Sequence, residues 1–256
     1  MRTLRMEWTD VGHGPLVLIN PDYPMLGEPE ADRLASVGGL PSGIMLDRQA
    51  AVMLAELMAL LGCEGDIVPV SGYRTMKEQQ RLYADSMRDN GPIYTRKYVA
   101  IPGCSEHQSG LAIDLAEKAE YIDFIAPSFP DTGACLQFKR KAAQYGFIER
   151  YPAGREHITR IAHEPWHFRY VGYPHSALIR ELDMTLEEYM DYLKRFPYEV
   201  VGARWRSLRA GREFVIGYVA AERGRSVEID VPPYAPTQVS GNNMDGFIVT
   251  VWGSPV

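Results

Sequence analysis

The sequence predicts an α+β protein with a small C-terminal β appendage. Helical periodicity with matching start and stop residues recurs in the segments 47–61, 75–88, 132–145 and 185–196. Short runs rich in β-branched and aromatic residues, bounded by turn residues, stand between those segments. Beyond about Arg204 the helical pattern stops and strand candidates follow one another.

Residues 1–45 are rich in Gly, Pro and Asp and read as an extended wrap with short apolar pieces such as Leu16-Val17-Leu18-Ile19. From Asp47 onward, Leu54, Leu57, Met58 and Leu61 recur at i, i+3, i+4 and i+7 and Gly62 provides a stop, so this stripe is core. IVPVSGYR reads as a short strand running into a turn at Ser71-Gly72. Thr75-Met76-Lys77-Glu78 has capping-box spacing for a helix that reaches about Arg88 and ends at Asn90-Gly91. Arg74 thus stands at a strand-to-helix junction, a common place for site residues.

A loop around Pro102-Gly103 leads into an alternating stretch from Gly110 to Ala116, with Leu111 and Ile113 on one face and Ala112 and Asp114 on the other. A charged Asp114 among small residues needs a partner. Residues 132–145 read as a helix closed by Gly146, and FIERYP and EPWHFRYVG as two further strand-like pieces. Thr185-Leu186-Glu187-Glu188 repeats the capping box ahead of a helix ending near Phe196-Pro197. The strand candidates of the appendage are EFVIGYVAA, SVEIDV and GFIVTVW, separated by Pro-Pro and by Ser240-Gly241-Asn242-Asn243. The expected organisation is a main domain over 1–200, wrap included, and the appendage over 201–256.

A chain of 256 residues with 46% hydrophobic and 23% charged residues can bury a sizeable core and is neither disordered nor fibrous. A net charge of -6 without a run of Lys or Arg argues against a nucleic-acid partner. No stretch approaches the roughly 18–20 apolar residues of a membrane helix, and the start has no signal-peptide pattern. The expectation is a protein with no membrane span, placed in the cytoplasm. Cys63, Cys104 and Cys135, odd in number and widely spaced, are expected to be reduced thiols.

The chemistry is carried by a few polar residues. A catalytic zinc takes three N, S or O donors from the protein and keeps a position open. His107 enters the strand that carries Asp114, and His167 is the third candidate ligand. Glu164 precedes His167 by three residues, and Pro165 restrains it towards extended geometry. A metal lowers the pKa of a water from about 15.7 towards roughly 7, and a nearby carboxylate can take the proton as a carbonyl is attacked. Arg74 offers a planar, permanently charged fork for the developing oxyanion or a substrate carboxylate.

Plainer readings compete. His13, His157, His163 and His175 read as structural histidines, with His163 near enough in sequence to Glu164 to support it. Arg74 could simply pair with a nearby Glu. Cys104 beside His107 reads as a packing thiol more than as the nucleophile of a Cys-His peptidase. Trp166, Phe168 and Tyr170 alternate on one side of their strand as core or pocket wall, and Tyr73 and Trp166 are candidates for lining a substrate groove.

Three blocks, Ser71-Gly72-Tyr73-Arg74 with Gln79, Gly103 through Asp114, and Glu164 through Gly172, resemble the VanY-type zinc D,D-carboxypeptidases in order and spacing. Within that family the chain is most similar to the soluble VanXY type, which combines D,D-dipeptidase and D,D-carboxypeptidase activity. The resemblance covers roughly residues 20–195 and implies a small antiparallel sheet flanked by helices, as in hedgehog-type domains. It implies one zinc ion on His107, Asp114 and His167, Glu164 as base, Arg74 as carbonyl stabiliser, and Gln79 and Ser105 holding the substrate's terminal carboxylate. The implied substrates are D-Ala-D-Ala and peptidoglycan precursors ending in it, as in vancomycin resistance. An L,D-carboxypeptidase of the same fold and a non-catalytic peptidoglycan-binding module remain alternatives; Glu164 and Arg74 count against the second, since binding needs no base. The balance of activities, the tolerance of D-Ser or D-lactate, the oligomeric state and the role of the appendage are left open.

Overall fold

Elements form where the chain supplies both an apolar stripe and groups to close its ends. A computed structural model describes residues 1–37, 43–198 and 213–253, and the backbone of 203–206. In chain order its first half holds β1 (Arg2–Met6), β2 (Leu34–Ser36), β3 (Met45–Asp47), α1 (Arg48–Leu61), β4 (Ile67–Ser71), α2 (Met76–Asp89), α3 (Gly91–Tyr98) and β5 (Ala112–Glu117). Then come α4 (Gly133–Ala142), β6 (Phe147–Glu149), α5 (Glu156–Thr159), β7 (His167–Tyr170), α6 (His175–Glu181) and α7 (Leu186–Leu193). The rest is β8 (Ala203–Arg206), β9 (Glu213–Ala220), β10 (Val227–Val231), β11 (Thr237–Gly241) and β12 (Gly246–Trp252). The fold is α+β.

The Asp47 side chain accepts from the backbone N–H groups of Gln49 and Ala50 at the start of α1, and Gly62 ends the helix in the left-handed region at φ 60. Between them Leu54 and Leu57 are fully buried, each worth about 1.5–3 kcal/mol of transfer free energy. The Thr75 and Glu78 side chains close a reciprocal capping box on α2. Asn90-Gly91 ends α2 as expected, yet α3 starts at once, where the local sequence reads only as a stop. Gly91 turns the chain at φ 78, and Pro92, at the first turn of α3, has the fixed φ that a helix start accepts.

The contacts divide the chain into two compact units, residues 19–186 and residues 1–18 with 187–256. The boundary expected between residues 200 and 201 falls outside the described residues. Unit 19–186 contains an antiparallel four-stranded sheet in the order β4-β5-β7-β6 and a two-stranded sheet β2-β3. Phe138 of α4 and Phe129 pack edge-on against Phe168 of β7, with ring centroids 4.9 and 5.3 Å away. This anchors one face of β7 and leaves the other for polar residues.

The second unit holds the antiparallel sheet β11-β12-β9-β8 and the pair β1-β10. Its core gathers Val11, Ile229, Val231, Phe247, Val249 and Val251, with Leu4 and Met6 packed on it. The three expected strands lie in β9, β10 and β12; β8 and β11 join them. The extended wrap expected over 1–45 also contains paired strands, β1 to β3. Among the described residues no helix is long and apolar enough to cross a membrane, and the three cysteines are free.

Candidate metal centre

Sheet register builds the centre. Asp114 on β5 stands opposite Ser71 of β4 on one side and His167 of β7 on the other. Directly opposed residues share a face and lie close together, so Asp114 Oδ1 is 2.9 Å from His167 Nδ1. His107 arrives from a 3-10 turn over Glu106–Ser109 that Gly110 closes at φ 74. The chain doubles back there, bringing His107 Nε2 to 3.1 Å from Asp114 Oδ2. The other ring nitrogen of His107, Nδ1, donates to the Gly72 carbonyl at 2.7 Å, which leaves a lone pair on Nε2.

One ligand atom each from His107, Asp114 and His167 lies within 4.8 Å of the others, and all three residues are buried. Donors bound to zinc at about 2.0–2.2 Å in a tetrahedral arrangement sit roughly 3.3 Å apart. The separations of 2.9 and 3.1 Å to Asp114 match that spacing, and two imidazoles with one carboxylate suit a divalent ion of this kind.

Glu164 stands beside the ligand set. Its backbone N–H donates to the Tyr151 carbonyl and its own carbonyl accepts from His167 N–H, both at 3.1 Å. Its Oε2 lies 3.8 Å from His167 Nδ1, close enough to serve a molecule bound there without joining the ligands. Arg74 Nη1 donates to Gln79 Oε1 at 2.6 Å and Nη2 to Ser71 Oγ at 2.8 Å. The buried amide of Gln79 donates in turn to the Ala100 carbonyl at 2.8 Å, so Gln79 fixes the guanidinium plane.

Charge and burial set the protonation states. Burial raises the Glu164 carboxyl to about 8, and the negative charge of Asp114 adds to it against the pull of His167 and Arg74. Burial opposes charge on Asp114 too, but His107 and His167 hold it well below the usual carboxylate range. For His167, burial favours the neutral ring, yet Asp114 outweighs it and raises the pKa to about 9. Burial lowers His107. A divalent ion held by these residues would displace these protons, because metal ligands must be deprotonated.

Arg74, Gln79, Ser105, Glu164 and Trp166 line one cavity with the three ligand candidates. Tyr73, expected to line a groove, is not among its lining residues. His163 does not support Glu164; its Nε2 pairs with Glu149 Oε1 at 3.1 Å. Cys104 lies outside this cavity and burial pushes its thiol above the ordinary value, which removes the nucleophile reading.

Two further groups complete the surroundings of the site, although no sequence motif marks either of them. Tyr98, Phe124, Ile125, Tyr151 and Ile161 supply apolar wall, from segments without a recognisable motif. Glu106, Arg150 and Arg169 form a buried ionic cluster in which Glu106 Oε1 accepts from Arg150 Nε at 2.8 Å and Arg169 Nη1 at 2.7 Å. One signal was present: Arg169 follows His167 by two residues, so strand alternation puts it on the ligand face.

Comparison with known proteins agrees with this geometry. The family model VanY, D-alanyl-D-alanine carboxypeptidase, matches residues 43–173. The bifunctional D-Ala-D-Ala dipeptidase and carboxypeptidase VanXYC of Enterococcus gallinarum is 46% identical over 179 residues, 70% of this chain and 94% of that protein. The crystal structure of the vancomycin resistance D,D-dipeptidase VanXYg with a D-Ala-D-Ala phosphinate analog superimposes with a TM-score of 0.94 at 41% identity, covering 98% of both chains. Residues after about 195, for which the resemblance offered no counterpart, thus have one there. A mutant of the D,D-pentapeptidase VanY from a VanB-type resistance cassette, in complex with Zn(II), matches with a TM-score of 0.56 at 28% identity over 69% of this chain and 98% of that one. With the motif residues gathered around one buried His-Asp-His set, the chain belongs to the VanY family of D-alanyl-D-alanine carboxypeptidases.

Proposed function

We propose that the protein is a zinc-dependent D,D-peptidase that hydrolyses D-Ala-D-Ala, the C-terminal D-alanyl bond of peptidoglycan precursors ending in it, or both. The observation that carries this reading is the convergence of His107, Asp114 and His167 with Glu164 beside them and Arg74 on the same cavity. His107, Asp114 and His167 would hold one zinc ion, which supplies Lewis acidity and an acidified water when bound. The relatives support the substrate class, since VanXYC is named for both activities and VanXYg binds a D-Ala-D-Ala analog.

The protein groups divide the remaining work. Glu164 takes a proton from the attacking water at its carboxylate and passes it to the leaving amine of D-alanine. Burial raises its proton affinity in the metal-free protein, and the positive charge of a bound divalent ion would lower it again, leaving the carboxylate form that can take a proton. Arg74, held by Ser71 and Gln79, presents its guanidinium to the oxyanion that develops from the carbonyl. Ser105 and Trp166 shape the pocket around the terminal residue, Ser105 as a hydrogen-bonding group and Trp166 as a wall; Gln79 acts through Arg74.

The test is to incubate purified protein, with and without a chelator, with D-Ala-D-Ala, with a pentapeptide ending in it, and with a tetrapeptide ending in an L,D bond, and to assay free D-alanine. The expected outcome is chelator-sensitive release from one or both D,D substrates, restored by zinc. Release from the tetrapeptide alone would reassign the protein to L,D chemistry. No release from zinc-loaded protein would point to a binding module.

A further inference from the structure

Both candidate ligand histidines have two ring nitrogens, and the surroundings treat them differently. His107 spends Nδ1 on the Gly72 carbonyl and turns Nε2 towards Asp114. His167 turns Nδ1 towards Asp114, and its Nε2 is buried without a hydrogen-bond partner. The atom facing that nitrogen is Glu106 Oε2, 3.7 Å away and also buried without a partner. This separation is about 0.5–1 Å longer than an ordinary hydrogen bond. The opposite carboxylate oxygen, Oε1, is fixed by Arg150 and Arg169, so Oε2 is held in place facing the ring.

We infer that Glu106 is a positioning residue for the metal, accepting the Nε2 proton of His167 and thereby committing its Nδ1 to the ion. The chemistry requires such a group. A neutral imidazole has one lone pair, so a ring that ligates through Nδ1 must carry its proton on Nε2. At this depth an N–H left without a partner opposes that arrangement, because it loses its hydrogen bond to water and gains none in exchange. A carboxylate that accepts this proton fixes the ring and raises the basicity of the ligating nitrogen. Pairing with two arginines alone does not require a carboxylate aimed this way: Oε1 serves both arginines, and the aim of Oε2 at His167 has no role in that pairing.

This inference rests on the metal centre proposed above, and two measurements separate its failure from the failure of that reading. The first is zinc affinity by competition with a chromophoric chelator, for the wild type and Glu106→Gln, with melting of the zinc-free proteins alongside. The Gln amide still offers an oxygen to the arginines but can present an N–H to the ring. The expected loss is about 10–100-fold in zinc affinity, beyond any change in zinc-free stability. Unchanged affinity in folded Glu106→Gln would overturn the inference and leave the metal centre standing, whereas a wild type that takes up no zinc would overturn both. The second needs no variant: ¹⁵N-histidine spectra of the zinc-loaded wild type should show His167 protonated on Nε2 and metallated on Nδ1. The reverse assignment overturns the inference even if Glu106→Gln fails to fold.

Discussion

At the scale of single residues, the cavity holds the carboxylate proposed as the base, Glu164, against the preference of water. Glu164 in the zinc-free protein has its pKa raised to about 8 by burial, whereas an unfolded glutamate ionises near about 4.3. Between those values the folded state binds more protons than the unfolded state, so this residue's contribution is fully present below about pH 4.3 and is lost as pH rises through 8. The slope is at most about 1.4 kcal/mol per pH unit. Glu164→Gln, which cannot ionise, should therefore melt higher than the wild type at pH 7–8 when both are zinc-free, with the gap closing towards pH 4. The same variant should still bind zinc, since Glu164 is not one of the three donors, while D-alanine release falls by about 10²–10⁴-fold. Normal turnover would remove Glu164 as base, and a pH-independent gap in melting temperature would contradict its raised pKa.

At the scale of elements, the site depends on a turn that only a special residue permits. Gly110 lies at φ 74, and a Cβ there would stand 2.8 Å from Leu34 Cδ2 and 3.1 Å from the Asp47 nitrogen. Its carbonyl accepts from Asp47 N–H at 2.7 Å, which ties the start of β5 to the start of α1. Gly110→Ala should cost about 1–2 kcal/mol from the left-handed backbone alone, and more from the contact. It should lower the melting temperature and weaken zinc binding together, because the turn sets the His107–Asp114 spacing; an unaffected variant would show that the turn relaxes freely. The elements nearest the chemistry were also the most legible. The capping box at Thr75, the stop at Gly62 and the Gly110–Ala116 alternation are local patterns, and each coincides with an observed element. Helix α3 was hidden because Asn90-Gly91 reads as a stop, and nothing local says that Pro92 restarts the helix one residue later. The Glu106, Arg150 and Arg169 cluster was hidden for another reason: buried ion pairs follow from which side chains meet, and Glu106 lies 44 residues from Arg150 in the chain.

At the scale of the whole chain, the least legible feature is the pairing of its first strand with β10, more than 200 residues away in the sequence. Arg2–Met6 and Val227–Val231 form an antiparallel ladder from Arg2↔Val231 to Met6↔Val227, and neither segment carries a signal naming the other. Read locally, residues 1–6 are only an extended start. The structure gives them weight, because Leu4 and Met6 pack on the core that contains Ile229 and Val231, both buried. Removing residues 2–6 should leave the β10 backbone without that partner and uncover part of this core, lowering the stability of the unit by roughly 2–4 kcal/mol if the two side chains contribute as partly buried apolar groups. Hydrogen exchange is the suitable measurement, since it resolves the loss by segment. Amides of 227–231 should lose protection in the truncated protein more than those of β9 and β12, which keep each other as partners in a separate ladder. Equal protection of 227–231 in the two proteins would mean that the N-terminal strand covers the core without supporting it, and the stability of this unit would then rest on the β11-β12-β9-β8 sheet alone.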